Sequence, residues 1–163
     1  MNKPNIFILD VDGVMTTGQF LYTKNGKTEK IFGPDDADAL NLLKKYIKII
    51  FLSADKRGFN ISKKRITEDM GYELYLVNSA NRLEWMKKYD LKRIIYMGDG
   101  LFDGMIFGEV LYSICPKNAF YLTVNKADYV SQYDGGNRAV ADACIHILKK
   151  FFEVKKIDEI LKA

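Results

Sequence analysis

The feature that most constrains this chain is a short apolar run that stops in acids. Ile6-Phe7-Ile8-Leu9 is followed at once by Asp10, Val11, Asp12 and Gly13. The run is too short for a helix, and its β-branched and aromatic content reads as a strand buried on both faces of a parallel sheet. Acids just past such a strand lie at the carboxyl edge, where open α/β sheets hold their ligands. Two carboxylates one residue apart repel each other unless a cation or a reacting group needs both. A solvated loop start is the plainer alternative, and the rest of the chain decides between them.

The same pattern recurs downstream. Ile47 to Leu52 reads as a second strand ending in Ser53-Ala54-Asp55, and Glu73 to Val77 as a third. Lys92 to Met97 is a fourth, ending in Gly98-Asp99-Gly100-Leu101-Phe102-Asp103. Helices are predicted between them. One is capped by Asp35 or Asp36 and runs to about Tyr46, with Leu40 and Leu43 on its apolar face. A second spans Gly58 to Met70 and ends at Gly71; a third, capped by Ser79, runs from about Asn81 to Tyr89. A short helix at Asp103 to Gly108, weak strands at Leu111 to Cys115 and Asp128 to Val130, and a long helix from Gly136 to about Phe152 follow. Strands alternating with helices predict an α/β fold with a doubly wound parallel sheet. One insertion departs from that pattern. Gln19 to Thr23 and Lys27 to Phe32, joined through Lys24-Asn25-Gly26, read as a β-hairpin after the first strand. Its apolar residues Phe20, Tyr22, Ile31 and Phe32 need cover.

The 163 residues, 48% of them hydrophobic, suffice for one domain with a two-sided core. That domain is expected over 1–152, with the hairpin at 19–32 and a helix-prone tail at 153–163. No apolar run approaches the roughly 20 residues of a membrane span, and the few residues before the first strand leave no room for a signal peptide. Cys115 and Cys144 are far apart and flanked by apolar residues, which predicts buried thiols in a reducing cytoplasm. The net charge of +4 is spread over scattered lysine pairs, as on solvated helix faces. It favours an anionic small molecule and gives no sign of nucleic acid. His146, Trp85, Met86, Tyr129 and Tyr133 read as packing residues, and Lys56, Arg57 and Lys117 as solvated charges, with a place in the lining of a phosphate pocket as the alternative.

Chemistry gathers at the strand ends. Asp10 and Asp99, from neighbouring strands, can share a hard cation, and Mg²⁺ fits because it takes few carboxylates and coordinates a phosphate. Asp10 is then placed as a nucleophile toward phosphorus. Asp12 is placed to protonate the leaving alkoxide and afterwards to activate water. Ser53 can hydrogen-bond phosphate oxygens.

The ordered set Asp10-Val11-Asp12-Gly13-Val14, Ser53, Asn81-Arg82 and Gly98-Asp99-Gly100-Leu101-Phe102-Asp103 resembles the haloacid dehalogenase superfamily of phosphatases. More narrowly, the hairpin, the lack of a cap-sized insertion and the tail Ala127-Asp128-Tyr129-Val130 with Gly135-Gly136-Asn137-Arg138-Ala139-Val140 are similar to the capless 3-deoxy-D-manno-octulosonate (KDO) 8-phosphate phosphatases and the acylneuraminate 9-phosphate phosphatases. The resemblance covers about residues 5 to 150. It implies a HAD-like Rossmannoid fold without a cap domain and a place in sugar-acid, hence lipopolysaccharide, biosynthesis. It implies Asp10 as nucleophile, Asp12 as acid/base, and Mg²⁺ held by Asp10, Asp99 and the Asp12 backbone carbonyl. Ser53, Ala54 and Arg82 would bind phosphate, Asp103 would support the site, and Arg138 would touch substrate. The resemblance further implies a homotetramer in which hairpins meet and a neighbouring subunit completes each site.

The chain departs from the family pattern in four places. Thr-Gly-Arg becomes Ser53-Ala54-Asp55, and the third motif's lysine becomes Arg82. Gly-Asp-Asp becomes Gly98-Asp99-Gly100, and the Asp-Gly loop becomes Asp35-Asp36-Ala37. These changes motivate a second reading, a HAD-like binding or oligomerisation module with little activity beside a sugar-nucleotide synthetase. A response-regulator receiver fits less well, since its phosphoacceptor follows the third strand.

Overall fold

The computed structural model describes residues 3–161. Six strands form one sheet: β1 (Ile6–Asp10), β4 (Lys48–Ser53), β5 (Glu73–Leu76), β6 (Ile94–Met97), β7 (Tyr112–Cys115) and β8 (Tyr129–Val130). Their order is β5-β4-β1-β6-β7-β8, and every adjacent pair is parallel. The chain steps outward from β1 to β4 and β5 on one side and to β6, β7 and β8 on the other. β1 is therefore the topological switch point, where doubly wound sheets open a crevice. Asp10 is in register with Leu52, and Leu9 with both Phe51 and Met97, so the segments following the three strands leave the sheet at one level.

The continuous apolar runs are explained by burial on both faces. Phe7, Leu9, Phe51 and Met97 pack toward a cluster that includes Leu40 and Leu43 of α1 (Asp36–Leu43) and Val140, Cys144 and Leu148 of α5 (Ala139–Phe152). The alternate residues Ile8, Ile50, Leu52 and Tyr96 pack against Met86 of α3 (Arg82–Met86), Ile106 and Phe107 on the other side. Short helices α2 (Phe59–Lys63), α4 (Tyr121–Val124) and α6 (Ile157–Leu161) complete the chain. The last two residues of the expected tail lie outside the described residues. Nothing larger than the hairpin interrupts the α/β alternation, and no cap domain is present among the described residues.

Several boundaries differ from expectation for identifiable reasons. The helix expected over Gly58–Met70 is regular only to Lys63 and continues in wider turns to Asp69. Asn78, not Ser79, caps the next turn, its side chain accepting from the Ala80 N–H, and α3 stops at Met86. Asp35 stands at the N-cap position of α1, but its side chain makes no capping hydrogen bond. Asp36 is buried and accepts the Ala141 N–H at 2.8 Å, tying α1 to the start of α5, while Asp35 pairs with Arg138 at 2.6 Å. α4 was not expected, and Tyr133 is exposed where packing was expected.

Other expectations hold. Both cysteines are buried and unbonded. His146 is stacked between Tyr112 and Tyr129, and burial, with Lys150 nearby, lowers its pKa. The hairpin is present as β2 (Leu21–Thr23) and β3 (Gly26–Glu29), with a register slip at Leu21/Tyr22. Phe32 bridges to Thr16 and packs on the core, whereas Phe20, Leu21, Tyr22 and Ile31 stay exposed.

Candidate active site

The loop after β1 is built around a glycine. Gly13 sits at φ +88°, and a Cβ there would collide with the carboxylate of Asp99. Asp10 Oδ1 accepts the Val11 N–H at 2.7 Å, and the Thr16 N–H closes the turn on the Val11 carbonyl at 3.1 Å. Gly135 and Gly136 press on this loop from behind. The Gly136 N–H bonds the Val14 carbonyl at 2.9 Å, and Gly135 leaves no room for a side chain against the Gly13 carbonyl.

Four strand ends converge here. Arg82, 2% exposed, places a bidentate fork on Asp10, with Nη1 at 2.6 Å from Oδ2 and Nη2 at 2.8 Å from Oδ1. Nη1 also reaches Asp103 Oδ1 at 2.9 Å and the Tyr96 hydroxyl at 3.0 Å. Tyr96 in turn donates to Asp103 Oδ1 at 2.6 Å. The other Asp103 oxygen accepts the backbone N–H groups of Asp99 and Gly100, so Asp103 holds both the arginine and its own loop. Planar guanidinium and carboxylate match in such a fork, which lysine cannot reproduce.

Asp99 is the odd member. Asp10, Asp99 and Asp103 each offer an oxygen within 4.8 Å of the others. Among the described residues, none other than Asp99 itself donates a hydrogen bond to the Asp99 carboxylate, whereas both oxygens of Asp10 and Asp103 accept bonds. Burial, then the charges of Asp10 and Asp103, push Asp99 up to about 8. Burial also raises Asp10 to about 6 although Arg82 opposes it. For Arg82, burial works against the charge, but Tyr96, Asp10 and Asp103 hold its pKa above the ordinary value. A poorly compensated carboxylate against a side-chain-free cradle at Gly13 is a donor set that a small hard cation fits.

Asp12 faces a second cation. Lys30 Nζ lies 2.7 Å from Asp12 Oδ1, 2.9 Å from Asp55 Oδ2 and 2.8 Å from Ser62 Oγ. Ser53 donates to Asp12 Oδ2 at 3.2 Å and accepts the Asp55 N–H at the same distance. Lys27 joins Asp55 at 2.5 Å. Burial opposes ionisation of Asp55, yet hydrogen bonds from Lys27 and Lys30 hold it down to about 2. A cavity of about 510 Å³ opens above, lined by Asp10, Asp12, Ala54, Asp55 and Arg82, with Phe20, Tyr22, Lys27, Lys56, Arg57 and Ser79 around them.

Of the residues singled out from sequence, Asp10, Asp12, Ser53, Ala54, Arg82, Asp99 and Asp103 come together. Arg138 does not line the cavity; its side chain is spent on Asp35. Lys56 and Arg57, read as solvated, do line it. Lys27, Lys30 and Tyr96 were missed. Their contacts span many residues, and the only local signal was two lysines three apart on a hairpin beside an acid where the family has arginine.

No protein-family model matches the chain. It is 27% identical over 150 residues to the 3-deoxy-D-manno-octulosonate 8-phosphate phosphatase KdsC of Salmonella typhi, covering 85% of this chain and 76% of that protein. Among solved structures it is similar to the Moraxella catarrhalis 3-deoxy-D-manno-octulosonate 8-phosphate phosphatase in complex with magnesium ion, phosphate ion and KDO. There the TM-score is 0.78 and the identity 27%, over 90% of this chain and 86% of that one. The cobalt-bound Haemophilus influenzae phosphatase of the same name gives a TM-score of 0.80 at 25% identity, over 98% and 97%.

A capless six-stranded parallel sheet with carboxylates gathered at its switch point, together with these likenesses, agrees with the resemblance to the haloacid dehalogenase superfamily. The chain is a phosphatase similar to the KDO 8-phosphate phosphatases.

Proposed function

We propose that the protein is a Mg²⁺-dependent phosphomonoester hydrolase. It works through an aspartyl-phosphate on a sugar-acid phosphate such as KDO 8-phosphate or an acylneuraminate 9-phosphate. The observation that carries this reading is Asp10 held in a two-pronged fork beside an uncompensated Asp99, with Asp12 two residues further on. Asp99, Asp10 and the backbone carbonyl of Asp12 would hold the Mg²⁺, which when bound supplies neutralisation of phosphate and carboxylate charge.

The chain's own groups carry the remaining steps. Asp10 Oδ1 accepts both the Val11 N–H and Arg82 Nη2, whereas Oδ2 accepts only Arg82 Nη1 and keeps a lone pair, so the carboxylate can attack phosphorus through Oδ2 while Arg82 fixes its plane. The P–O bond to the sugar breaks as Asp12 gives its proton to the leaving alkoxide. Asp12 then takes a proton from water, whose oxygen attacks phosphorus and frees Asp10. Ser53 and the Ala54 backbone would bind phosphate oxygens; Ala54 lines the cavity, and the Ser53 hydroxyl would turn to phosphate from Asp12, to which it donates at 3.2 Å. The relatives are KDO 8-phosphate phosphatases, and that likeness supports the sugar acid.

The exposed Leu21 and Ile31 of the hairpin support a homotetramer assembled through it, with Arg138 a weaker candidate for substrate contact. No described helix is long and apolar enough to cross a membrane, and a cytoplasmic location and a single domain over 1–152 complete the reading. One observation favours the second reading, a binding module: Asp55 puts an acid where the family carries a phosphate-site cation.

The test is a panel of sugar phosphates with Mg²⁺ and purified protein. Phosphate release should be faster from KDO 8-phosphate or an acylneuraminate 9-phosphate than from neutral hexose phosphates. No release from any of them removes the phosphatase reading in favour of the binding module.

A further inference from the structure

Two hairpin lysines are more deeply buried than lysines on a surface ribbon should be. The side chains of Lys27 and Lys30 are 3% and 0% exposed, and both reach Asp55, 28 and 25 residues further along the chain. Buried charges are tolerated only when paired and hydrogen-bonded, and here every charge has a partner. Gly58 makes the approach possible. Its N–H donates to Asp55 Oδ1 at 3.1 Å, and a Cβ there would run into Asp55 and the stems of both lysines. An isolated two-stranded hairpin is barely stable in water, so these contacts decide where it rests.

The ribbon brings its aromatic residues with it. Lys27 Nζ lies 3.4 Å over the Phe20 ring, and Phe20 and Tyr22 both line the cavity. The cluster of Lys27, Lys30, Asp12 and Asp55 is neutral as a set. The cavity's positive rim comes from Lys56 and Arg57, which are exposed and make no ion pair among the described residues. Aromatic side chains and cations without ion-pair partners lining one cavity suit a molecule with an apolar C–H surface and a carboxylate.

We infer that Lys27 and Lys30 latch the aromatic hairpin over the site of its own chain, so that Phe20, Tyr22, Lys56 and Arg57 form the subsite recognising an anionic sugar as leaving group. The acid at position 55, in place of the family's arginine, is what the latch closes on. This inference rests on the phosphatase reading only for the name of the leaving group.

Two measurements on the intact protein test it without using turnover. Hydrogen exchange of the hairpin amides, residues 21–29, should quicken at least about tenfold in Asp55→Asn and in Lys27→Met, with β1, β4 and β6 unchanged. Calorimetric titration with KDO should show binding to the wild-type protein that weakens at least about tenfold in Lys56→Met/Arg57→Met and in Asp55→Asn, while a neutral hexose shows no such dependence. Unchanged hairpin exchange, or a rise shared by the central strands in both variants, overturns the latch. KDO binding that is absent in the wild type, or equal in all variants, overturns the subsite. KDO binding as expected in a protein that releases no phosphate upholds the subsite and removes the phosphatase reading.

Discussion

The guanidinium of Arg82 grips both oxygens of Asp10, at 2.6 and 2.8 Å, from a helix that begins 72 residues further along the chain. The same guanidinium touches Asp103 and Tyr96, so one cation fixes the plane of the candidate nucleophile and the loop after β6 together. Charge and shape are separable here, and that separation is testable. Arg82→Met leaves Asp10 and Asp103 facing each other unpaired, which should cost about 3–5 kcal/mol and show as a large fall in melting temperature. Arg82→Lys keeps the charge and loses the fork. It should hold most of the stability yet lower kcat by about a hundredfold. Equal activity in Arg82→Lys and wild type would mean that the fork does not orient Asp10.

The acids beside that fork make stability depend on pH and metal together. Asp99 at about 8 and Asp10 at about 6 are raised by burial above their unfolded values. Between about pH 4 and pH 8 the folded state therefore binds more protons than the unfolded chain, and stability falls as pH rises through that window. Metal-free protein should melt lower at pH 8 than at pH 6. Mg²⁺ takes the deprotonated acids, so it should raise the melting temperature more at pH 8, where a concentration of a hundred times its Kd stabilises the fold by about 2.7 kcal/mol. Asp99→Asn should abolish most of both effects. A Mg²⁺ shift of equal size at the two pH values would show that these acids do not receive the metal.

Asp36 offers a control far from the metal question. Burial raises it to about 6, although the backbone N–H groups of Ala141 and Val140 oppose the rise. Its contribution has the same sign, lost as pH climbs from about 4 to 6. Asp36→Asn keeps a side-chain oxygen for the Ala141 N–H and removes the titration. The difference in melting temperature between pH 5 and pH 7 should shrink in this variant, and an unchanged difference would place the titrating group elsewhere.

The Gly135–Gly13 approach is backbone against backbone. Gly135→Ala would push a Cβ onto the Gly13 carbonyl, with the Thr16 carbonyl also close, and neither can rotate away. The expected cost is about 1–3 kcal/mol, with loss of activity as the loop carrying Asp12 shifts. Wild-type melting and turnover in this variant would refute the tight approach.

Which parts of this molecule could be read from its sequence follows from the range of the forces involved. β1, β4 and β6 were legible because burial on both faces writes itself as Ile6–Leu9, Ile49–Leu52 and Ile94–Met97. Asp10, Asp12, Ser53 and Asp99 were legible because each ends a strand or lies two residues past one, and parallel register then brings them to one edge. Helix limits were not, because caps were spent elsewhere: Asp36 serves α5, and Asn78 outcompetes its neighbour Ser79. Tyr96 reads as one more apolar residue of its strand until Asp103 folds back on it. Lys30 reads as a hairpin surface charge until the ribbon lies on Asp12 and Asp55. Arg138, placed near the site by its Gly-Gly neighbours, turns out to Asp35 from a left-handed backbone position at φ +72°.

The central claim is that Asp10 is the nucleophile of a metal-dependent phosphatase. The most direct measurement is phosphate release from para-nitrophenyl phosphate and KDO 8-phosphate, with and without Mg²⁺, by wild type and Asp10→Asn. The account predicts Mg²⁺-dependent release by the wild type and none above background in a folded Asp10→Asn protein. Turnover retained by Asp10→Asn, or a wild type no faster than that variant, would contradict it.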